Sequence, residues 1–562
     1  MYIKIFATIV LALTVIACSN NNQFVENNEP SSSQPVVLAG SEGVEIEEVV
    51  VTGRIRSDQL SQPFIVSQGY TSFAHDQYED PAANENYLGV NENGIKQAIV
   101  EPVSTFSIDV NTAAYSNIRR MLSGQGVLPP TDAVKLEEMI NYFSYNYPTP
   151  EGLDKPFSVH TELAPAPWNE QKLLLQIGLK GYEPDLVERP AANLVFLVDV
   201  SGSMQSEDKL GLVKKSLGLL VNQMNGQDRI ALVAYAGSAG LVLDSTSGAD
   251  NRTIMRAIDN LQAGGSTHGS AGIYLAYEVA QDNFIEGGIN RVLIASDGDM
   301  NVGTTSVDGL KELVEEKRKT GIALTTLGFG TGNYNDAVME QIADVGNGNA
   351  AYIDNLLEAQ KVLVNEMQST LLTIAKDVKI QIEFNPALVS EYRLLGYEKR
   401  LLAREDFRND QVDAGEIGAG HTVTALYEIT LKGSDAEMIP ELRYQQEIMP
   451  SSARLDQEMA YLSLRYKLPE QSESIEFGEA VNISSVQSSF EEARLDMQFA
   501  ASVAAFGQLL RDSQYTQGMS FDQVLDIAKL ARGEDVYGYR SEFLSLVELA
   551  KSLSPQRVAS NL

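Results

Sequence analysis

The chain has 562 residues with a formal net charge of −34, and 44% of its residues are hydrophobic. This length predicts three or four domains, in a composition that is ordinary for a globular protein. The acidic balance argues against nucleic acid and anionic lipid headgroups as partners, and it would attract divalent cations.

The N-terminus has the pattern of a lipoprotein signal peptide. An apolar run, Ile5–Ile16, follows one lysine and is too short to span a bilayer as a mature helix. The end of this run and the two residues after it, Val15–Cys18, resemble the bacterial lipobox, and they contain the single cysteine of the chain. The resemblance implies a signal peptide over residues 1–17 and acylation of Cys18. Because Ser19 follows, it also implies sorting to the periplasmic face of the outer membrane; an ordinary signal peptide is the alternative.

Residues 18–90 are rich in Asn, Ser, Glu, Gln and Pro, which predicts a flexible tether. Within it, IEEVVVTGRIR (Ile46–Arg56) resembles the segment that opens the plug of TonB-dependent outer-membrane receptors. No barrel-like series of strands follows in the sequence. We therefore expect only a short β segment there, suited to pairing with a partner's sheet edge.

Residues 91–185 predict a flanking region of helices and strands. A strand and a helix are expected before Gly124 and Pro129. The segment Thr131–Phe143 has apolar residues at helical spacing, with Thr131 as its expected N-cap. Alternation in PFSVHTELAP and KLLLQIGLKG predicts two strands.

Residues 190–370 alternate strands that are apolar throughout with amphipathic helices. This alternation predicts a doubly wound α/β domain, in which helices cover both faces of a parallel sheet. Residues 375–485 change to period two and predict four antiparallel strands, and residues 486–562 predict three amphipathic helices.

The strands on either side of the α/β domain are too few to form independent sheets. Pooled, they predict a β-sandwich that is built from both flanks. The α/β domain would then be inserted into this sandwich through one exposed edge.

Oxygen-bearing side chains follow two of the predicted strands. Asp199, Ser201 and Ser203 come at the end of NLVFLVDV and just after it, and Asp297 ends RVLIASD. Between them, the glycine-rich turn GGSTHGSAG carries Thr267. Because parallel sheets bind ligands outside the carboxyl ends of their strands, we expect these elements to meet at one edge.

This arrangement resembles the von Willebrand factor type A family. Its metal-ion-dependent adhesion site combines an Asp-x-Ser-x-Ser motif with a distant Thr and a distant Asp. The resemblance assigns the metal ligands to Asp199, Ser201, Ser203, Thr267 and Asp297. Ser266 is the alternative at the threonine position, and His268 and Asp299 are expected to be ordinary loop residues.

The ligand types suit Mg²⁺, a hard cation that takes six oxygens in an octahedron, and Mn²⁺ fits the same oxygens. Hydroxyls are neutral, so Asp199 and Asp297 bring the charge of metal and ligands to zero. A position left open could then accept a Glu or Asp carboxylate from a protein partner, as the resemblance implies. The alternative for the motif is that Ser203 or Ser206 merely caps the helix that follows.

The residue patterns of three enzyme classes are incomplete in this sequence. Ser238 in AGSAG lacks the helix that must follow a nucleophile elbow, because another strand pattern comes next. Asp199 lacks the second Asp of a haloacid dehalogenase-like phosphatase, and Gly264–Thr267 lacks the lysine of a P-loop. We therefore expect no catalytic residues, and an unrecognised hydrolase stays a minor alternative.

The flanks also resemble those of a bacterial family of predicted lipoproteins with one central type A domain. The segments STFSIDVNTAAYSNIRR and ARGEDVYGYRSEFLSLVELAKSL carry this resemblance on either side. Together these features predict a lipid-anchored envelope protein that is not an enzyme and that binds a protein partner through Mg²⁺. The alternative is a structural role in envelope assembly, performed by the flanks, with a metal that only stabilises the fold.

Overall fold

The computed structural model describes residues 85–560, except 151, 153–154, 185–188, 266–268, 299–306, 441–456 and 517. The expected signal peptide, Cys18, the β segment at Ile46–Arg56 and most of the tether lie outside the described residues. In the part of the chain that is described, no helix combines the length and apolar character needed to cross a membrane.

The flank before residue 190 contains the three predicted strands and parts of the predicted helices. Its elements are β1 (Lys96–Gln97), β2 (Val103–Ser107), α1 (Ala113–Arg119), α2 (Leu136–Asn141), β3 (Phe157–Ala166) and β4 (Asn169–Gly181). The start predicted for the second helix is wrong, because Thr131–Ala133 is one 3₁₀ turn and Lys135 is extended. The cause is tertiary: the ammonium of Lys135 lies 2.8 Å from carboxylate oxygens of both Asp336 and Glu340.

The α/β domain follows. Its strands are β5 (Ala192–Asp199), β6 (Arg229–Tyr235), β7 (Ala239–Ser247), β8 (Ile289–Ser296), β9 (Ala323–Phe329) and β10 (Ala350–Ile353). Its helices are α3 (Leu212–Val221), α4 (Asn251–Asp259), α5 (Gly269–Asp282), α6 (Val307–Arg318), α7 (Asp336–Val345), α8 (Leu356–Gln360) and α9 (Met367–Leu371). The strand order is β10-β9-β8-β5-β6-β7.

The central strand β5 shows why helices cover both faces of this sheet. Leu194 and Phe196 pack into one apolar core, and Val195 and Leu197 pack into another. Successive side chains of a strand point to opposite faces, so each face needs its own layer. The doubly wound prediction is confirmed with one correction: β7 runs antiparallel to β6, so the sheet is mixed. The turn between those strands is too short for the crossover that parallel pairing requires.

The region after the α/β domain contains the predicted strands and the three predicted helices. Its strands are β11 (Thr373–Phe384), β12 (Val389–Leu395), β13 (Gly415–Gly418), β14 (Thr422–Leu431), β15 (Glu458–Lys467) and β16 (Ser474–Asn482). Its helices are α10 (Leu495–Leu510), α11 (Phe521–Leu530) and α12 (Tyr539–Ser560). Neither β13 nor β16 was predicted: β13 has only four residues, and the side chains of β16 are mostly exposed.

The sheet topology confirms the sandwich built from both flanks. One sheet has the order β1-β12-β14-β4-β3, and the other has the order β13-β11-β15-β16, with β2 also paired to β11. In the first sheet, Leu179 of β4 lies opposite Val423 of β14. Both residues belong to the apolar core that also contains Ile380 and Leu462 of the second sheet. The α/β domain is therefore an insertion between strands that pair with each other.

The C-terminal helices pack on the helices of the N-terminal flank. Phe143, which follows α2, lies 4.9 Å from Phe499 of α10 between ring centroids. Phe499 in turn lies 5.4 Å from Phe543 of α12. Aromatic pairs at such distances add to the burial of apolar surface. The two flanks thus share a helical core as well as the sandwich.

Candidate metal centre

Asp199 ends β5 and is completely buried. Its Oδ1 accepts a 2.8 Å hydrogen bond from the backbone N–H of Ser201. Its Oδ2 accepts a 3.1 Å hydrogen bond from the hydroxyl of Ser296, the last residue of the neighbouring strand β8. The carboxylate is therefore fixed between the carboxyl ends of two adjacent parallel strands, the edge at which parallel sheets bind ligands.

The hydroxyls of Ser201 and Ser203 lie 3.0 Å apart. Ser201 is buried, whereas Ser203 is exposed, so the pair leads from the buried carboxylate to the surface. The chain here forms a 3₁₀ turn, Gly202–Gln205, and its N-cap Ser201 makes no side-chain cap hydrogen bond. The next turn begins after Ser206, which also makes none. Helix capping therefore does not account for the hydroxyls of this motif.

Asp297 follows β8 and is also completely buried. Its Oδ2 accepts hydrogen bonds from Nζ of Lys209 at 2.9 Å and from Nδ2 of Asn333 at 3.0 Å. Burial raises the pKa of Asp297, but Lys209, Asn333 and Ser203 together outweigh burial, so its pKa lies below the ordinary value. Asp297 is thus held as a carboxylate in a desolvated position.

The two aspartates influence each other. Burial raises the pKa of Asp199 above its ordinary value, and the charge of Asp297 adds to the rise, against hydrogen bonds from Ser201 and Ser296. Two buried carboxylates in one site repel each other, and a cation between them relieves both the repulsion and the desolvation. The donor set at this edge is made of oxygens, two charged and two neutral, which fits Mg²⁺ or Mn²⁺.

Thr267 lies outside the described residues, as do Ser266, His268 and Asp299. The described part of the same loop is held against the serine motif. The N–H of Gly264 donates a 2.8 Å hydrogen bond to the carbonyl of Val200, and the N–H of Gly202 donates a 3.0 Å hydrogen bond to the carbonyl of Gly265. The assignment of Thr267 as a ligand stays a prediction.

Sequence reasoning missed three polar residues of the site, Lys209, Asn333 and Ser296. Lys209 follows Glu207 and Asp208, which gives it the appearance of a solvated surface residue. Asn333 lies in the loop between β9 and α7, far along the chain. Ser296 precedes Asp297 directly, so the short polar run SerAsp at a strand end was the one available signal.

A second group of carboxylates, Asp109, Glu138 and Glu340, also lies close together. The ammonium of Lys135 lies 2.9 Å from Glu138 and 2.8 Å from Glu340. Arg400 lies 2.9 Å from Asp109, so two cations, Lys135 and Arg400, pair with the three carboxylates and join the N-terminal flank to helix α7 of the α/β domain.

Ser238 lies in the turn between the antiparallel strands β6 and β7. A nucleophile elbow needs a strand before the serine and a helix after it. The turn at Ser238 therefore lacks the geometry of an elbow.

Family models match three successive parts of the chain. A model described as "von Willebrand factor" matches residues 81–176, and the von Willebrand factor type A domain matches residues 193–366. A third, described as "Uncharacterized protein YfbK, C-terminal", matches residues 369–553. The three matches together span the sandwich, the α/β domain and the C-terminal helices.

The chain is also similar to individual proteins. The chain is 48% identical to the uncharacterized protein YfbK of Escherichia coli over 478 residues, which is 83% of this chain and 81% of that protein. It is 28% identical to the uncharacterized protein sll0103 of Synechocystis sp. over 196 residues, which is 35% of this chain and 45% of that protein. A solved structure, von Willebrand factor type A from Catenulispora acidiphila, matches with 14% identity and a TM-score of 0.39, over 71% of this chain and 91% of that chain.

Proteins with this domain are typically non-enzymatic interaction modules that often hold a divalent metal. On these matches the chain belongs to the YfbK family, with a von Willebrand factor type A domain inserted between the family's two flanking regions.

Proposed function

We propose that this protein binds a protein partner through a divalent metal, Mg²⁺ or Mn²⁺, and that it acts by adhesion rather than by catalysis. The type A domain supports an interaction role in general terms. The residues that would hold the metal are Asp199, Ser201, Ser203, Thr267 and Asp297. When bound, the metal would supply a Lewis-acidic position that a partner's Asp or Glu carboxylate can complete.

One observation carries the proposal. Two buried carboxylates, Asp199 and Asp297, lie at neighbouring strand ends beside a pair of hydroxyls that opens to the surface at Ser203. A purely structural site would bury its polar groups and pair each of them inside the protein. An exposed hydroxyl above buried negative charge instead leaves a cation accessible to a ligand from outside.

The first test measures metal binding directly. The purified chain and its Asp199→Ala variant are titrated with Mn²⁺ and Mg²⁺ by calorimetry after removal of metal with EDTA. We expect one tight site in the parent, and we expect the variant to lose it while keeping its far-UV circular dichroism. The matched control is Asp259→Asn, which removes an exposed carboxylate on α4 and should leave the affinity unchanged. Equal affinity in the parent and in Asp199→Ala would refute the metal site.

The second test asks whether the metal serves binding. Envelope extracts are passed over the immobilised parent and the Asp199→Ala variant, with and without EDTA. Adhesion predicts a captured protein that disappears both with the chelator and with the variant. Capture that is unchanged by the chelator and by the substitution would favour the structural alternative, in which the flanks bind the partner.

The membrane attachment is a separate proposal. We infer that acyl chains on Cys18 anchor the protein at the periplasmic face of the outer membrane, since the lipobox-like segment is the expected attachment point. Substitution Cys18→Ala should move the protein from the membrane fraction to the soluble fraction. Mass spectrometry of the parent should show the mass of the acyl chains on the N-terminal peptide, and a parent peptide without them would contradict the anchor.

A further inference from the structure

Lys209 is a buried cation inside the candidate metal centre, with only 7% of its surface exposed. It lies on the π-helical turn Glu207–Gly211 that follows the serine motif. Its Nζ donates hydrogen bonds of 2.9 Å to Asp297 Oδ2 and 2.6 Å to Asn333 Oδ1. Asn333 in turn donates to the same Asp297 oxygen, so the three side chains form a closed set.

The fold makes room for this lysine. The residue beside its aliphatic stem is Gly330, whose φ is +79°. A Cβ at that position would lie 2.3 Å from Cγ of Lys209. Only glycine permits both this backbone conformation and the passage of the stem. The side chain of Lys209 therefore belongs to the interior of the site and not to the surface around it.

Lys209 changes the charge of the site. The carboxylates of Asp199 and Asp297 carry two negative charges, and the ammonium of Lys209 cancels one of them. A bound divalent cation would therefore leave one positive charge uncompensated, where the two aspartates alone would leave none. Charges at such short range in a buried site interact strongly, because water screens them little.

We propose that Lys209 determines which ligand this site accepts. It lowers the affinity for the metal and leaves the metal-loaded site with a net positive charge, so that an anionic carboxylate completes the coordination of the metal. This inference rests on the proposed metal-dependent binding. In this role Lys209 is a positioning residue, since it acts through Asp297 and through its charge. The consequence is that metal affinity and carboxylate affinity depend on Lys209 in opposite directions.

The test uses the full chain loaded with Mn²⁺. Calorimetry gives the Kd for Mn²⁺, and water-proton relaxation at saturating Mn²⁺ follows acetate as it displaces water from the ion; acetamide is the neutral control. For Lys209→Gln we expect the Kd for Mn²⁺ to fall about tenfold and the Kd for acetate to rise about tenfold. Lys209→Arg keeps the charge and should keep both values near those of the parent.

A second variant guards against loss of the fold. Asn333→Asp places a negative charge beside the Lys209 ammonium and should shift both affinities in the same directions as Lys209→Gln. If Mn²⁺ binds but these opposite shifts do not occur, the role of Lys209 is overturned and the proposed function is not. Absence of Mn²⁺ binding in the parent and in every variant would overturn the proposed function. Mn²⁺ binding only when Lys209 is replaced would show that the lysine takes the metal's place and would also overturn this inference.

Discussion

Lys172 of β4 donates a 2.6 Å hydrogen bond to Oε1 of Glu428 on β14, and both side chains are almost completely buried. The first residue precedes the type A domain in the chain and the second follows it. Trp168 donates to the other carboxylate oxygen of Glu428. A charge pair in the interior thus links two segments that are 256 residues apart.

Breaking this pair should destabilise the sandwich. Lys172→Met removes the closer of the two cations beside the buried carboxylate of Glu428 and leaves Arg393 at 3.7 Å, so we expect a cost of about 3 kcal/mol, at the lower end for a broken buried pair. Urea unfolding followed by tryptophan fluorescence and circular dichroism measures the loss. The matched control is Lys551→Met, whose partner Asp522 is 64% exposed, and whose loss should cost less than about 1 kcal/mol. Similar losses in the two variants would contradict a structural role for the buried pair.

The shared sandwich predicts which fragments fold. A fragment of residues 189–372 contains both apolar cores of the type A domain except Ala113, and it should fold by itself. A fragment of residues 85–184 contains β4 without its partner β14, so it should stay unfolded. Dispersion of amide signals in NMR spectra distinguishes the two outcomes. A folded fragment 85–184 would show that the flanks are independent domains.

Glu137 makes stability depend on pH. Burial raises the pKa of its carboxyl to about 7, with the charges of Glu398 and Asp109 adding to the rise. Its Oε2 is buried and makes no hydrogen bond within the described residues. Because the folded protein holds this proton more tightly than the unfolded chain does, unfolding releases it between pH 4.5 and about 7. The contribution of this group to stability is therefore complete below pH 4.5 and is lost as the pH rises through about 7.

Glu137→Gln removes that dependence. The free energy of unfolding of the variant minus that of the parent should increase as the pH rises from 5 to 7.5, by at most about 1.4 kcal/mol per pH unit. Urea titrations of both proteins at pH 5, 6.25 and 7.5 measure the difference. A constant difference across this range would show that Glu137 titrates at an ordinary pKa. The exposed Glu548 is a suitable control for substitution to Gln.

Gly330 should tolerate no side chain. Gly330→Ala meets both the cost of a positive φ and a steric conflict with Lys209, so we expect a loss of about 1–3 kcal/mol and a displaced lysine. Gly287 has a φ of +68° with nothing near its missing Cβ, so Gly287→Ala isolates the backbone cost. Thermal melts give the stabilities of both variants. If Gly330→Ala loses no more than Gly287→Ala, then the stem of Lys209 is not tightly enclosed.

The local pattern of residues determined much of this protein. Continuous apolar runs that end in Asp199 and Asp297 predicted parallel strands, and the ends of adjacent parallel strands share one edge of the sheet. The ligand types then predicted a site for a hard cation there. Alternating apolar residues likewise predicted the strands of the sandwich, because a strand that is buried on one face must alternate.

The other features of the fold and of the site depend on contacts between residues that are distant in the chain, so only the tertiary structure decided them. Helix α2 begins at Leu136 rather than Thr131, since Lys135 reaches carboxylates on a later domain. The charge of the metal centre likewise depends on Lys209, whose neighbours in the chain suggest solvent while the fold encloses it beside Asp297. A sequence pattern records which side chains are apolar, but the pairing of buried charges is fixed only when the chain brings them together.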